Sequence, residues 1–198
     1  MGSDKGLVSL AGSAMIERVI ARVAGLGDEL IITTNRPQAY AYLGVRMAAD
    51  EEPGAGALPG LKSALQAARG DSVLLVACDM PFLNHELLAH LLTLVPASAD
   101  GVDVADVVDV VVPYWKERYQ TMHAVYRRRS CLQAVSRALA DGERRMIAFY
   151  PAVTVLPVEE EVVRRFDAAG DSFFNVNTPE ELATAAAMIE NRRNDNAR

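Results

Sequence analysis

The sequence predicts an α/β protein: a single domain on a mostly parallel, doubly wound sheet, with helices on both faces and a small antiparallel hairpin. Three observations carry that prediction. Short apolar runs alternate along the chain with segments whose apolar residues recur at helical spacing. One run, Val73-Leu74-Leu75-Val76, shows no polar alternation and reads as a strand covered on both faces. Two others, Val110 to Tyr114 and Tyr119 to Tyr126, are joined by a polar turn and read as the hairpin.

The elements follow in order. Ile16, Val19, Ile20 and Val23 share one face of a helix near 14–25, with Glu17, Arg18 and Arg22 opposite and Gly25 and Gly27 ending it. Leu30-Ile31-Ile32-Thr33-Thr34 is a buried strand closed by Asn35, Arg36 and Pro37. A short helix from Gln38 to Leu43 and a short strand from Val45 to Ala48 come next. Asp50 to Gly60 holds three glycines and two prolines and reads as a loop. Leu61, Ala64, Leu65 and Ala68 then form a helical face. After the Val73 strand, a helix runs from about Asn84, its N-cap, to Val95. Pro96 to Asp106 reads as an exposed, mobile loop. Ser130 to Leu139 is helical and Val153 to Leu156 a short strand. Thr178, Pro179 and Glu181 place an N-cap, a first-turn proline and a capping-box glutamate at the start of the last helix. The polar tail 191–198 is expected to fray.

Bulk properties narrow the function. A chain of 198 residues with 51% hydrophobic residues suits one domain with a substantial core. A net charge of −6 argues against a general grip on nucleic acid. Cys78 and Cys131 show no pair or metal-ligand spacing and read as reduced thiols. His85, His90 and His123 show no metal-ligand spacing either. No apolar run approaches a membrane span and no signal-peptide pattern opens the chain. These features favour a cytoplasmic protein that binds neither nucleic acid nor membrane.

The chemistry gathers at the end of the Val73 strand. Ligands of open α/β sheets bind beyond the carboxyl ends of the strands. Asp79 follows this strand and Pro81 stops it from continuing. A single carboxylate there suits Mg²⁺, which prefers oxygen and bridges to substrate phosphates. Capping of the next turn is the alternative role for Asp79.

Three segments then line up: Met1-Gly2-Ser3-Asp4-Lys5-Gly6, Ala77-Cys78-Asp79-Met80-Pro81-Phe82, and Asn175-Val176-Asn177-Thr178-Pro179-Glu180-Glu181-Leu182. Together they resemble the molybdenum cofactor guanylyltransferases, nucleotidyltransferases with a Rossmann-like fold, and the resemblance runs from Met1 to about Ile189. A domain over 1–190 follows from it. Asn35-Arg36, Gly56-Ala57-Leu58-Pro59-Gly60, Gln120-Thr121-Met122-His123-Ala124 and Gly142-Glu143-Arg144-Arg145 resemble further family segments, with Ala57 and Thr121 where the family has proline. Family members open with a buried strand running into Leu-Ala-Gly-Gly-x-Ser-x-Arg-Met-Gly, and this sequence starts at the Met-Gly of that motif. An incomplete N terminus, a degenerate relative and a fusion scar are the three explanations. The first is favoured because the downstream motifs stand in order. Without that central strand, its two neighbours are expected to expose unpaired edges.

The resemblance implies transfer of GMP from GTP to the terminal phosphate of molybdopterin, with release of pyrophosphate. It assigns Asp79 to Mg²⁺ and Lys5 to phosphate as the catalytic pair. It assigns Asn35, Gly56 and Gly60 to the nucleotide, Asp50 to guanosine or the metal, Asn175 and Asn177 to a pterin edge or a phosphate, and Arg144, with Arg145 beside it, to the pterin phosphate. Molybdoenzymes or other cofactor-biosynthesis proteins would be the protein partners. Each residue has a plainer alternative: a surface lysine, a turn or capping residue, a solvated arginine pair. The rival functions are a cytidylyltransferase for the same pterin, a sugar-1-phosphate nucleotidyltransferase, and a pterin-binding relative without nucleotide chemistry.

Overall fold

The structure is a computed structural model that describes residues 4–52, 54–95 and 107–196. The loop expected over Pro96 to Asp106 lies outside the described residues. A 3-10 turn at Lys5–Leu7 leads into a hairpin of β1 (Ser9–Leu10) and β2 (Ser13–Ala14), then α1 (Met15–Val23). The strand β3 (Ile31–Thr33), the short helix α2 (Pro37–Tyr40) and the strand β4 (Arg46–Ala48) follow. Next come α3 (Ala57–Ala67), β5 (Ser72–Val76) and α4 (His85–Thr93). The second half holds β6 (Val110–Trp115), β7 (Arg118–Tyr119), β8 (His123–Arg127), α5 (Arg128–Ala140), β9 (Val155–Val158), α6 (Glu160–Phe166) and α7 (Pro179–Asn196).

The α/β class, the layered arrangement and the small antiparallel hairpin agree with the sequence. The central sheet is mixed, where a mostly parallel one was expected. β8 lies between β5 and β6 and runs antiparallel to both, while β9 joins β6 in parallel. The reason is chain length: β6 and β8 are separated by residues 116–122, too few for the crossover that parallel neighbours need. β7 pairs with the end of β6 as the hairpin, Tyr114 opposite Tyr119 and Trp115 opposite Arg118. The expected Tyr119 to Tyr126 strand is therefore two strands, broken at Gln120 to Met122.

Side chains alternate between the two faces of this sheet. Val73 and Leu75 join Val110, Val112, Ala124 and Tyr126 beneath α3 and α5, against Leu58, Leu61, Leu65, Val135 and Phe149. Leu74 and Val76 join Val111 and Val125 on the other face, beneath α4 and α6, against Leu87, Leu88, Leu91 and Val163. Both faces of β5 are thus covered, as its apolar run implies. The strand nevertheless stays half-buried, whereas Val110, Val111 and Val112 of β6 are fully buried. The cause is its free edge. β5 pairs only with β8 and β3 only with β4 among the described residues, so the strands fall into separate ladders. Helix α3 packs against β3, β4 and β5 and spans the break. Smaller clusters fasten the remaining elements: Leu10, Met15 and Phe82 against α7, and Ile16 of α1 against Ile32 and Tyr40.

Helix α3 starts at Ala57, inside the segment expected to be loop. Proline in a first turn costs no hydrogen bond, so Pro59 does not delay the helix. Asn84 caps α4 as expected, its side chain accepting from Leu87 N at 2.8 Å. Thr178 and Glu181 form the capping box of α7: Glu181 N donates to Thr178 Oγ1 at 3.2 Å and Thr178 N to Glu181 Oε2 at 2.9 Å. The helix continues to Asn196, through most of the segment expected to fray.

Candidate active site

Asp79 stands three residues past the end of β5, and its carbonyl accepts from Val176 N at 2.9 Å. That bond ties the segment after β5 to the segment before α7. It explains why residues almost a hundred apart in sequence meet here. Asp79, Asn175 and Asn177 line one cavity of about 420 Å³, together with Ala57 and the Tyr119 to Met122 break. The volume lies in the range of small-molecule sites. Asn175 and Asn177 reach the same cavity because they are two apart in an extended segment.

Lys5 closes the group from the other end of the chain. Its Nζ donates to Asn177 Oδ1 at 2.5 Å and stands 3.4 Å from Asp79 Oδ2. The turn that carries Lys5 is braced from below. Asp4 accepts hydrogen bonds from Tyr40 Oη and, at 3.4 Å, from Arg36 Nη1. Gly6 lies so close to the buried Tyr40 ring that a Cβ there would stand 2.6 Å from its hydroxyl. Tyr40 is a positioning residue that no pattern in the sequence marks, although the Asp4-Lys5-Gly6 run it supports is marked.

The residues expected on the nucleotide side behave differently. The Asn35 amide is engaged with the backbone of Asp50: its Nδ2 donates to Asp50 O at 3.1 Å, and its Oδ1 accepts from Asp50 N at 3.0 Å. The Asp50 carboxylate accepts from Glu52 N at 3.2 Å and Ser63 Oγ at 3.3 Å. These contacts hold the loop that leads to α3. Neither residue lines the cavity. Gly56, the N-cap of α3, has φ 110° and ψ −175°, a conformation essentially restricted to glycine. Gly60 lies within α3, where a Cβ would meet nothing within 4 Å, so packing does not demand a glycine there. Arg144 donates to the carbonyls of Leu139 and Glu143 at the end of α5 and does not line the cavity. Arg145 pairs with Glu143 at 3.7 Å in the open.

Electrostatics separate the acid from the thiol beside it. Burial, with the neighbouring Asp79 and Asp4 carboxylates, pushes Cys78 up to about 11, so it remains a protonated thiol at neutral pH. Asp79 is the only carboxylate on the cavity wall among the described residues, and no described cluster of three His, Cys, Asp or Glu could hold a metal alone. Asp79 and Lys5 form a charged pair at this cavity, with the amides of Asn175 and Asn177 beside them. That combination suits group transfer between substrates.

The chain is a nucleotidyltransferase: it belongs to the MobA-like NTP transferase domain family, which matches residues 1–155. It is 36% identical over 193 residues to a protein of Pelotomaculum thermopropionicum named probable molybdenum cofactor guanylyltransferase, covering 98% of this chain and 89% of the relative. It is 33% identical over 189 residues to the molybdenum cofactor guanylyltransferase of Desulfosudis oleivorans, covering 96% and 89%. Its fold is similar to the crystal structure of molybdopterin-guanine dinucleotide biosynthesis protein A from Archaeoglobus fulgidus, with TM-score 0.76, 23% identity, and 96% and 92% of the two chains covered.

Proposed function

We propose that the protein transfers GMP from GTP to the terminal phosphate of molybdopterin and releases pyrophosphate. One observation carries the reading: Asp79, Lys5 and Asn177, drawn from three distant parts of the sequence, converge within hydrogen-bond reach at one cavity. The names of relatives at 36% and 33% identity support the choice of substrates.

In this reading a phosphate oxygen of the acceptor attacks the α-phosphorus of GTP. The bond from that phosphorus to the bridging oxygen breaks, and the electron pair leaves with pyrophosphate. The chain's own groups position and neutralise. Lys5 supplies a mobile positive charge to the phosphates. Asn177 orients the Lys5 ammonium, and Asn175 presents its amide to the acceptor. Mg²⁺ is the implied cofactor, and the residues fit it. Asp79 is half-buried on the cavity wall, and a hard oxygen ligand shared with substrate phosphates is the usual donor set for this ion. When bound there, the ion would neutralise charge on the phosphates. We place this activity in the cytoplasm, with molybdoenzymes or other cofactor-biosynthesis proteins as partners. No described helix is long and apolar enough to cross a membrane.

The test is product identity. The protein is incubated with molybdopterin, Mg²⁺ and either GTP or CTP, and the products are read by mass. A guanine dinucleotide formed from GTP in large excess over any cytosine product is the expected result. A cytosine product in excess would make the protein a cytidylyltransferase. No dinucleotide from either nucleotide would overturn the transferase reading.

A further inference from the structure

Tyr119 stands out among the cavity residues. It is a large aromatic side chain left 38% exposed while it borders a polar cleft. Its surroundings hold it rigid. The Tyr119 ring packs edge-on against Tyr114, with centroids 5.1 Å apart and planes at 63°. It packs the same way against Tyr150, at 5.5 Å and 71°. Tyr150 in turn rests edge-on against the buried Phe149. The ring at the cavity rim is thus the outer end of an aromatic ladder rooted in the core.

The hairpin that carries Tyr119 is held as firmly. Lys116 and Glu117 form its two-residue turn, both with positive φ, 48° and 61°, the geometry that keeps flanking strands in register. Non-glycine residues hold that conformation only where the surroundings enforce it. Here Lys116 N donates to Glu160 Oε2 at 3.0 Å. Trp115 is wedged between Phe173 and the Arg164 guanidinium.

We infer that Tyr119 is the platform on which the planar, fused heteroaromatic ring of the acceptor substrate stacks. The inference rests on the transferase reading above and adds to it a ring subsite. A fixed, half-exposed aromatic ring loses little conformational freedom on binding and offers its π surface to any flat ring. The acceptor ring, and not guanine, is the occupant because of what shares the wall. Asn175 and Asn177, which the resemblance places toward the acceptor, line this cavity, whereas Asn35 and Asp50, which it places toward the nucleotide, do not. Asn175, its Nδ2 donating to Phe173 O at 3.3 Å, turns its Oδ1 to the polar edge of the ring while Tyr119 covers the face.

The test uses 6-hydroxymethylpterin, a fluorescent pterin without the dithiolene, and steady-state turnover of GTP with molybdopterin. The proteins are wild type, Tyr119→Ala and Tyr119→Phe. Wild type and Tyr119→Phe are expected to quench the pterin on binding, and Tyr119→Ala to bind it about tenfold more weakly. In turnover, Tyr119→Ala raises the KM for molybdopterin by a similar factor while the KM for GTP stays within about twofold. Equal pterin binding by Tyr119→Ala, absence of binding by wild type, or displacement of the pterin by GTP alone overturns the inference. Pterin binding that needs Tyr119 in a protein without any nucleotide transfer supports the platform and overturns the transferase reading instead. Thermal melts of all three proteins confirm that a rim substitution leaves the fold in place.

Discussion

Asp79 was legible before the structure because three signals agree on it. An apolar run stops, a carboxylate follows, and a proline forbids continuation. Lys5 was legible only through the motif around it, since nothing local distinguishes it from a surface lysine. Asn35 shows where residue-level reading runs out. An asparagine after a strand can serve a ligand or the backbone equally well, and only the fold reveals that its amide is spent on Asp50. Replacing Asn35 with alanine is expected to loosen the Asp50 loop and cost about 1 kcal/mol of stability in urea denaturation. Gly56 makes a sharper test. At φ 110° any side chain is strained, so Gly56→Ala is expected to destabilise by about 1–3 kcal/mol, seen as a lower urea midpoint at unchanged slope. An unchanged midpoint would show that the start of α3 can rearrange freely.

Elements whose ends carry their own chemistry were read well. The Asn84 cap and the Thr178 capping box both stand where the sequence places them. Thr178→Ala removes one bond of that box and is expected to cost about 1 kcal/mol, with the loss of helicity confined to α7 by hydrogen exchange. Elements set by long-range packing were read less well. Helix α3 begins early because a first-turn proline is harmless. The strand expected to run from Tyr119 breaks after that residue because Gln120 to Met122 turn along the cavity, with Gln120 N donating to Pro113 O. Helix α6 was not foreseen; its seven residues bury only Val163, too little for a periodic signal. The hairpin turn yields a prediction of the opposite sign. Glu117→Gly relieves a left-handed non-glycine residue and should raise the unfolding free energy from urea denaturation by about 0.5–1 kcal/mol, seen as a higher midpoint at unchanged slope.

At the scale of the whole molecule, the α/β class was visible in the alternation of apolar runs and helical faces, but strand direction was not. Direction depends on which strands become neighbours: the short 116–122 connection makes β8 run against β6, and β8 then pairs antiparallel with β5, which is distant in sequence. Among the described residues β3 pairs only with β4 and β5 only with β8, and α3 packs against all three of β3, β4 and β5. One buried group couples this sheet to solution pH. His123, at the end of β8 opposite Val76, is fully buried, and neither ring nitrogen has a hydrogen-bond partner among the described residues. Burial depresses its pKa from 6.5 to about 3, against the opposing pull of Asp167. The unfolded chain therefore takes up a proton below 6.5 that the folded chain refuses. This contribution to stability is full above 6.5 and declines as pH falls toward about 3. Urea titrations between about pH 7 and 4 should show that acid slope in wild type and a shallower one in His123→Leu. Equal slopes would place the acid sensitivity elsewhere.

The central claim is that the chemistry turns on Asp79 at the meeting point of Lys5 and Asn177. The most direct measurement is Mg²⁺-dependent pyrophosphate release from GTP and molybdopterin by Asp79→Ala, beside wild type, with melting curves for both. A fall in kcat of about a thousandfold or more with the melt preserved is expected from the proposed role of Asp79, since a carboxylate that holds a metal against the phosphates stabilises charge developing in the transition state. Wild-type pyrophosphate release by Asp79→Ala, with the same dependence on Mg²⁺, would contradict it.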